Sequence, residues 1–73
     1  MATQIVMDHT GDTRHEFDPT DLGALAEAEE RFRNLTGAGF TAAKRLDDGK
    51  SEVVKSFDPT AEKTLFIPRL QGG

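Results

Sequence analysis

Only one stretch of the chain carries a helical repeat, and it lies in the middle. In DLGALAEAEERFRNLTGAG, residues 21–39, Leu22, Leu25, Glu29, Phe32 and Leu35 recur at helical spacing, and Ala28 falls on the same face. Glu27, Glu30, Arg31 and Arg33 fall elsewhere on the wheel, where they can face water. Asp18 or Thr20 can cap the start, with Pro19 early in the first turn. Asp21 near the start and Arg31 and Arg33 near the end suit the helix dipole. Gly37 or Gly39 stops the helix, and Phe40 can fold back on its last turn. Gly23 weakens the first turns by about 1 kcal/mol against alanine. A lone amphipathic helix has no helical partner for its apolar stripe, so a sheet must supply one.

The flanks supply strands. Before the helix, QIVMD (4–8) is short, apolar and β-branched, HTGD (9–12) is turn chemistry, and TRHEF (13–17) returns as a second strand. After it, FTAAKRL (40–46), the turn DDGK (47–50) and SEVVKSF (51–57) make another hairpin. DPTAE (58–62) turns the chain again into a last strand at 63–67, and Pro68, with no N–H, weakens pairing there. The order is ββαβββ. It implies an α+β fold, a mixed sheet of four to five strands packed on one helix. That order permits the first and last strands to be parallel neighbours in the sheet's middle, without requiring it. FDPT occurs at 17–20 and again at 57–60, which reads as two independent strand exits using one Asp-Pro stop.

Composition narrows the rest. With 73 residues and no cysteine, the chain has neither a disulfide nor a thiolate zinc site, so packing alone must hold a small core. Phe17, Phe32, Phe40, Phe57 and Phe66, spread through the chain, are the candidate core. A net charge of −4 argues against nucleic acid as a partner. No apolar run approaches a membrane span, and MATQIVMDHTGD has no signal-peptide core. A cysteine-free chain of this kind suits the cytoplasm, and a monomer is the expectation.

The segment KTLFIPRLQGG, residues 63–73, carries a resemblance. Thr64-Leu65 and Arg69-Leu70-x-Gly72-Gly73, with the ββαβββ order over nearly the whole chain, resemble the ubiquitin-like β-grasp family, in particular its small prokaryotic or phage members. Pro68 departs from ubiquitin. A proline there is similar instead to molybdopterin-synthase small subunits, which end in Pro-Pro-x-x-Gly-Gly; thiamine sulfur carriers also end in Gly-Gly. The internal sequence matches none of these closely.

The resemblance implies a β-grasp domain over 1–68 and a flexible diglycine tail over 69–73. It implies that the Gly73 carboxylate, reached through Gly72, is adenylated with ATP by an E1-like adenylating enzyme and then accepts a thiolate or sulfide. Glycine passes a narrow channel without a side chain to clash. Arg69 and Leu70 would carry tail recognition, one as a charged fork and the other as an apolar knob. On that reading the chain is no enzyme and binds no cofactor. Three roles remain open: a modifier joined to target-protein lysines, a sulfur carrier with a thiocarboxylate at Gly73, and a non-conjugated module whose sheet docks a partner. Pro68 leans toward the carrier, Arg69-Leu70 toward the modifier.

Other constellations are weaker. Asp8, His9, Asp12, His15 and Glu16 invite a metal or acid–base reading, but strand alternation splits them across two faces of a hairpin, leaving a polar rim. Gly37-Ala38-Gly39 reads as a helix stop, and neither GxGxxG nor a P-loop is present. Lys44, Lys50, Lys55 and Lys63 are candidate exposed amines, and Val6 and Val54 candidates for an outward partner patch.

Overall fold

The structure, a computed structural model, describes residues 1–68. The expected tail, 69–73, lies outside the described residues. The elements are β1 (Ala2–Asp8), β2 (Gly11–Phe17), α1 (Leu22–Gly37), β3 (Thr41–Arg45), β4 (Ser51–Val53) and β5 (Lys63–Ile67). The strands form a single five-stranded sheet in the order β2-β1-β5-β3-β4. β1 pairs antiparallel with β2 and parallel with β5, while β3 runs antiparallel to both β5 and β4. One helix covers one face. This mixed α+β architecture is the expected one and is compatible with a β-grasp fold. The parallel neighbours that the order merely permitted are present: Thr3 lies beside Lys63 and Val6 beside Phe66.

Strand alternation assigns the two sheet faces. Ala2, Phe17, Ala42 and Phe66 turn toward the helix and are buried there with Ala28 and Phe32. They form two clusters, Ala2–Phe17–Ala28 and Phe32–Ala42–Phe66, and Phe57 packs against both. Phe57 meets Phe32 edge-on, with ring centroids 6.0 Å apart, and Phe66 meets Phe32 likewise at 5.7 Å. All five phenylalanines thus join the helix-side core, as the sequence implies.

Some expectations need correction. β1 begins at Ala2, because the Ala2 methyl is part of the core. β4 stops at Val53 instead of running to residue 57. Val54 still donates its N–H to the Ala42 carbonyl (2.9 Å), but the chain then bends so that Phe57 reaches under the helix. Val6 and Val54 are not an outward patch; both pack against the Phe32 cluster. The helix stripe is Ala24, Leu25, Ala28, Phe32 and Leu35; Leu22 is 80% exposed and Glu29 is exposed as well.

The helix ends are set by local chemistry. Asp21 is the N-cap, in place of Asp18 or Thr20, and its carboxylate accepts the N–H groups of Gly23 (3.0 Å) and Ala24 (3.2 Å). No basic residue lies in the last turn, since the helix runs on to Gly37. At that end Phe40 donates its N–H to Leu35 (3.0 Å) and Gly39 to Thr36 (3.2 Å), the double bond of a Schellman stop. Gly39 takes φ +103°, and Phe40 and Leu35 then both pack against the core.

The two neighbouring glycines therefore respond oppositely to alanine. Gly37→Ala, in helical backbone with open space around it, is expected to stabilise by about 0.5–1 kcal/mol. Gly39→Ala is expected to destabilise by roughly 1–2 kcal/mol, because an L-residue is strained at its positive φ. Urea denaturation followed by circular dichroism reads both signs.

Candidate functional site

The sequence points to the segment after β5, and the fold fixes where that segment starts. β5 lies between β1 and β3, hydrogen-bonded on both sides. Its last residue, Ile67, is 42% exposed and Pro68 is exposed, so the chain leaves the sheet at the surface. Gly72, Gly73, Arg69 and Leu70 lie beyond Pro68, outside the described residues.

Beside that exit lies the uncovered sheet face. Its middle row reads Arg14, Ile5, Leu65, Ala43, Val53 across five strands, each paired with the next. Ile5 and Ala43 are buried by their strand neighbours, whereas Val53, at the edge, is 64% exposed. Ile67 and Met7 extend the apolar surface toward the exit of β5. Lys63 and Arg45 lie on this same face by alternation, toward its other end. The sequence signal for this face was the alternation within β1 and β5, masked because both strands are apolar on both faces.

The candidate amines do not share one environment. The Lys44 ammonium donates to an Asp58 carboxylate oxygen at 3.0 Å, and Lys63 is half-buried. Lys50 and Lys55 are exposed. Asp58 is also the hub of the second FDPT: its other oxygen accepts the Thr60 N–H (2.9 Å) and hydroxyl (2.6 Å). The first FDPT does the same. Asp18 accepts the Thr20 N–H (2.9 Å) and hydroxyl (2.7 Å). The repeated tetrapeptide is therefore one local motif used twice: a core phenylalanine followed by an Asp-Pro-Thr turn closed by the aspartate side chain. Asp8 closes a third such turn on Thr10 without the proline.

These contacts tune the acids. The Thr60 hydroxyl and N–H, then Lys44, hold the Asp58 carboxyl down to about 2, and the Asp58 carboxylate raises the Lys44 ammonium. Asp8 and Asp18 are lowered by the matching threonine bonds. In the hairpin the register separates the acid–histidine group: Glu16 pairs with Thr3, His15 with Gln4 and Asp12 with Met7. Among the described residues no three histidine, aspartate or glutamate side chains gather to hold a metal ion.

A polar site the sequence did not reveal lies inside. Gln4 is 1% exposed, in the helix-facing row between the two core clusters. Its amide donates to the Ala28 carbonyl (3.0 Å), and its oxygen accepts from the Arg31 guanidinium (2.7 Å). His15 sits opposite Gln4, and burial, then the nearby Arg31 charge, lowers its pKa.

No family model matches the chain, and neither a curated protein nor a solved structure matches it significantly. Among the described residues no helix is long and apolar enough to cross a membrane.

The Asp58 pKa sets a pH dependence. A carboxyl depressed below its ordinary 3.8 adds stability that is present above that value and lost as pH falls through about 2. Asp58→Asn keeps an acceptor for Thr60 but removes the titration and the Lys44 pair. Thermal melts by circular dichroism are expected to fall less steeply for Asp58→Asn than for the parent between about pH 4 and pH 2. Asp58→Ala, which also loses the turn, is expected to melt lowest at neutral pH. Equal slopes for parent and Asp58→Asn would contradict the assignment.

Proposed function

We propose that this chain is a ubiquitin-like protein modifier, activated at the Gly73 carboxyl by an E1-like adenylating enzyme and joined to lysines of target proteins. The carrying observation is the placement of the Arg69-Leu70-Gln71-Gly72-Gly73 segment directly after β5, the strand held on both sides in the sheet. Such a segment has a firm base and a start at the surface. Its two glycines present no side chain to a narrow enzyme channel. The chain acts as substrate and carrier, while the partner enzyme supplies the adenylation and uses the ATP. That setting is the cytoplasm. Lys50 and Lys55, exposed and without an ion partner among the described residues, are the amines best placed to receive a further copy.

A second reading is a non-conjugated interaction module. The open sheet face favours it, where Val53 (64% exposed) and Ile67 (42% exposed) present apolar side chains beside the row Ile5–Leu65–Ala43. A sulfur carrier is the third, favoured by Pro68.

Mass spectrometry of the tagged protein, expressed with its native gene neighbourhood, distinguishes them. Trypsin cuts after Arg69, so the modifier reading expects a Leu-Gln-Gly-Gly remnant on lysines of other proteins. A free chain with sulfur replacing one oxygen at Gly73 would establish the carrier instead. An unmodified Gly73 throughout, with activating genes present, would overturn both tail mechanisms.

A further inference from the structure

The helix carries an apolar groove away from both the end of β5 and the open sheet face. Leu22, Leu25, Ala26 and Glu29 follow one another at helical spacing and form one wall; Phe57 and Pro59 form the other. The groove is shallow and open to solvent and offers about 260 Å³, room for one or two aliphatic side chains. Leu22 is the telling residue. It stands at the first helical position, 80% exposed, although it belongs to the apolar repeat of the sequence. Each wall is tied down by an aspartate side chain. Asp21 caps the helix start immediately before Leu22. Asp58 closes the turn that holds Pro59, and Lys44 braces that carboxylate. A groove with fixed walls loses little entropy when it is filled.

The charge around it selects the occupant. Glu29 lines the groove, Asp21 adjoins Leu22, and Glu30 follows Ala26 by one helical turn; all three are exposed. The one ion pair among the described residues is Lys44–Asp58, so none of these acids is held in an ion pair, not even Glu29 with Arg33 one helical turn beyond it. A second copy of the chain docking here about a two-fold axis would set this acidic rim against itself, which is repulsive. An anionic membrane surface is disfavoured on the same ground. We propose that the groove docks a basic peptide segment of a partner protein, one that buries a single leucine-sized anchor against Leu22, Leu25 and Phe57 while flanking lysines or arginines meet Glu29 and Asp21.

The test is a nitrogen-15 NMR titration of the whole chain with a synthetic peptide in which two leucines are flanked on each side by two lysines. The expected result is amide shifts confined to the start of α1 and the turn after Phe57. Leu22→Ser is expected to weaken binding by about tenfold, the loss of most of one buried leucine contact. Glu29→Lys is expected to weaken it several-fold at low salt, with the difference shrinking as salt is added. Both positions are exposed, so both variants keep the fold. A peptide with glutamates in place of the lysines is expected not to bind. Shifts that map to the Ile5–Leu65 row, or binding indifferent to Leu22→Ser, would overturn the proposal. So would a concentration-dependent rise in mass that Leu22→Ser abolishes, which would give the groove to a second copy. None of these readouts involves Gly73, so they stand apart from the fate of the modifier reading.

Discussion

Residues from opposite ends of the sequence meet in the parallel pairing of β1 with β5, from Thr3 beside Lys63 to Val6 beside Phe66. Without it the sheet is two separate pieces, the β1–β2 hairpin, marginal on its own, and the three strands β5-β3-β4. With it, Phe66 is carried beneath Phe32 and beside Ala42, and the second core cluster closes. The same pairing places Leu65 between Ile5 and Ala43, which makes the apolar row on the other face. It also anchors the start of the segment that bears Arg69 and the two glycines. The loop entropy of joining such distant strands is large, and the chain has no disulfide to offset it. Hydrophobic burial has to do so.

The helix is held over this sheet by small residues as much as by large ones. Ala28 is fully buried, and its methyl lets the helix backbone approach β1 closely enough for the Gln4 amide to reach the Ala28 carbonyl. Gln4 is satisfied at both ends, donating to Ala28 and accepting from Arg31, so its burial costs little. An apolar side chain could fill the same space in many helix registers. The glutamine fills it in one, because both of its partners lie on the turn Ala28–Arg31. It therefore links helix position to strand position between the two aromatic clusters.

The parts of this fold that were legible in the sequence are those written in local pattern. The ββαβββ order, the five core phenylalanines, the glycine stop at the helix end and the polar hairpin rim follow from periodicity and turn chemistry. Where the reading went astray, tertiary context decided. Leu22 fits the helical repeat, yet it lies in the first turn, beyond the clusters that bury Leu25 and Ala28. Val6 and Val54 look interchangeable with other strand valines until the register assigns their faces. β4 is cut short by the demand of Phe57 for the core, an influence no strand propensity contains. Gln4 opens the first strand read from the sequence with nothing to mark it as core, yet it is among the most buried residues. The FDPT echo was visible as letters; its meaning, an aspartate side chain closing each turn on its own threonine, needed the geometry of Asp18 and Asp58.

The two surfaces proposed to act, the exit of β5 beside the open sheet face and the acidic groove beside α1, lie on different parts of this architecture. Both presuppose the central position of β5. Amide hydrogen exchange with cross-strand nuclear Overhauser contacts tests that position most directly. The expected result is slow exchange at the paired amides of β1 and β5, with contacts linking Ile5 to Leu65 and Leu65 to Ala43. If the β5 amides exchanged as fast as those of the three-residue edge strand β4, and contacts to β1 were absent, β5 would not join the two halves of the sheet and the account would fail.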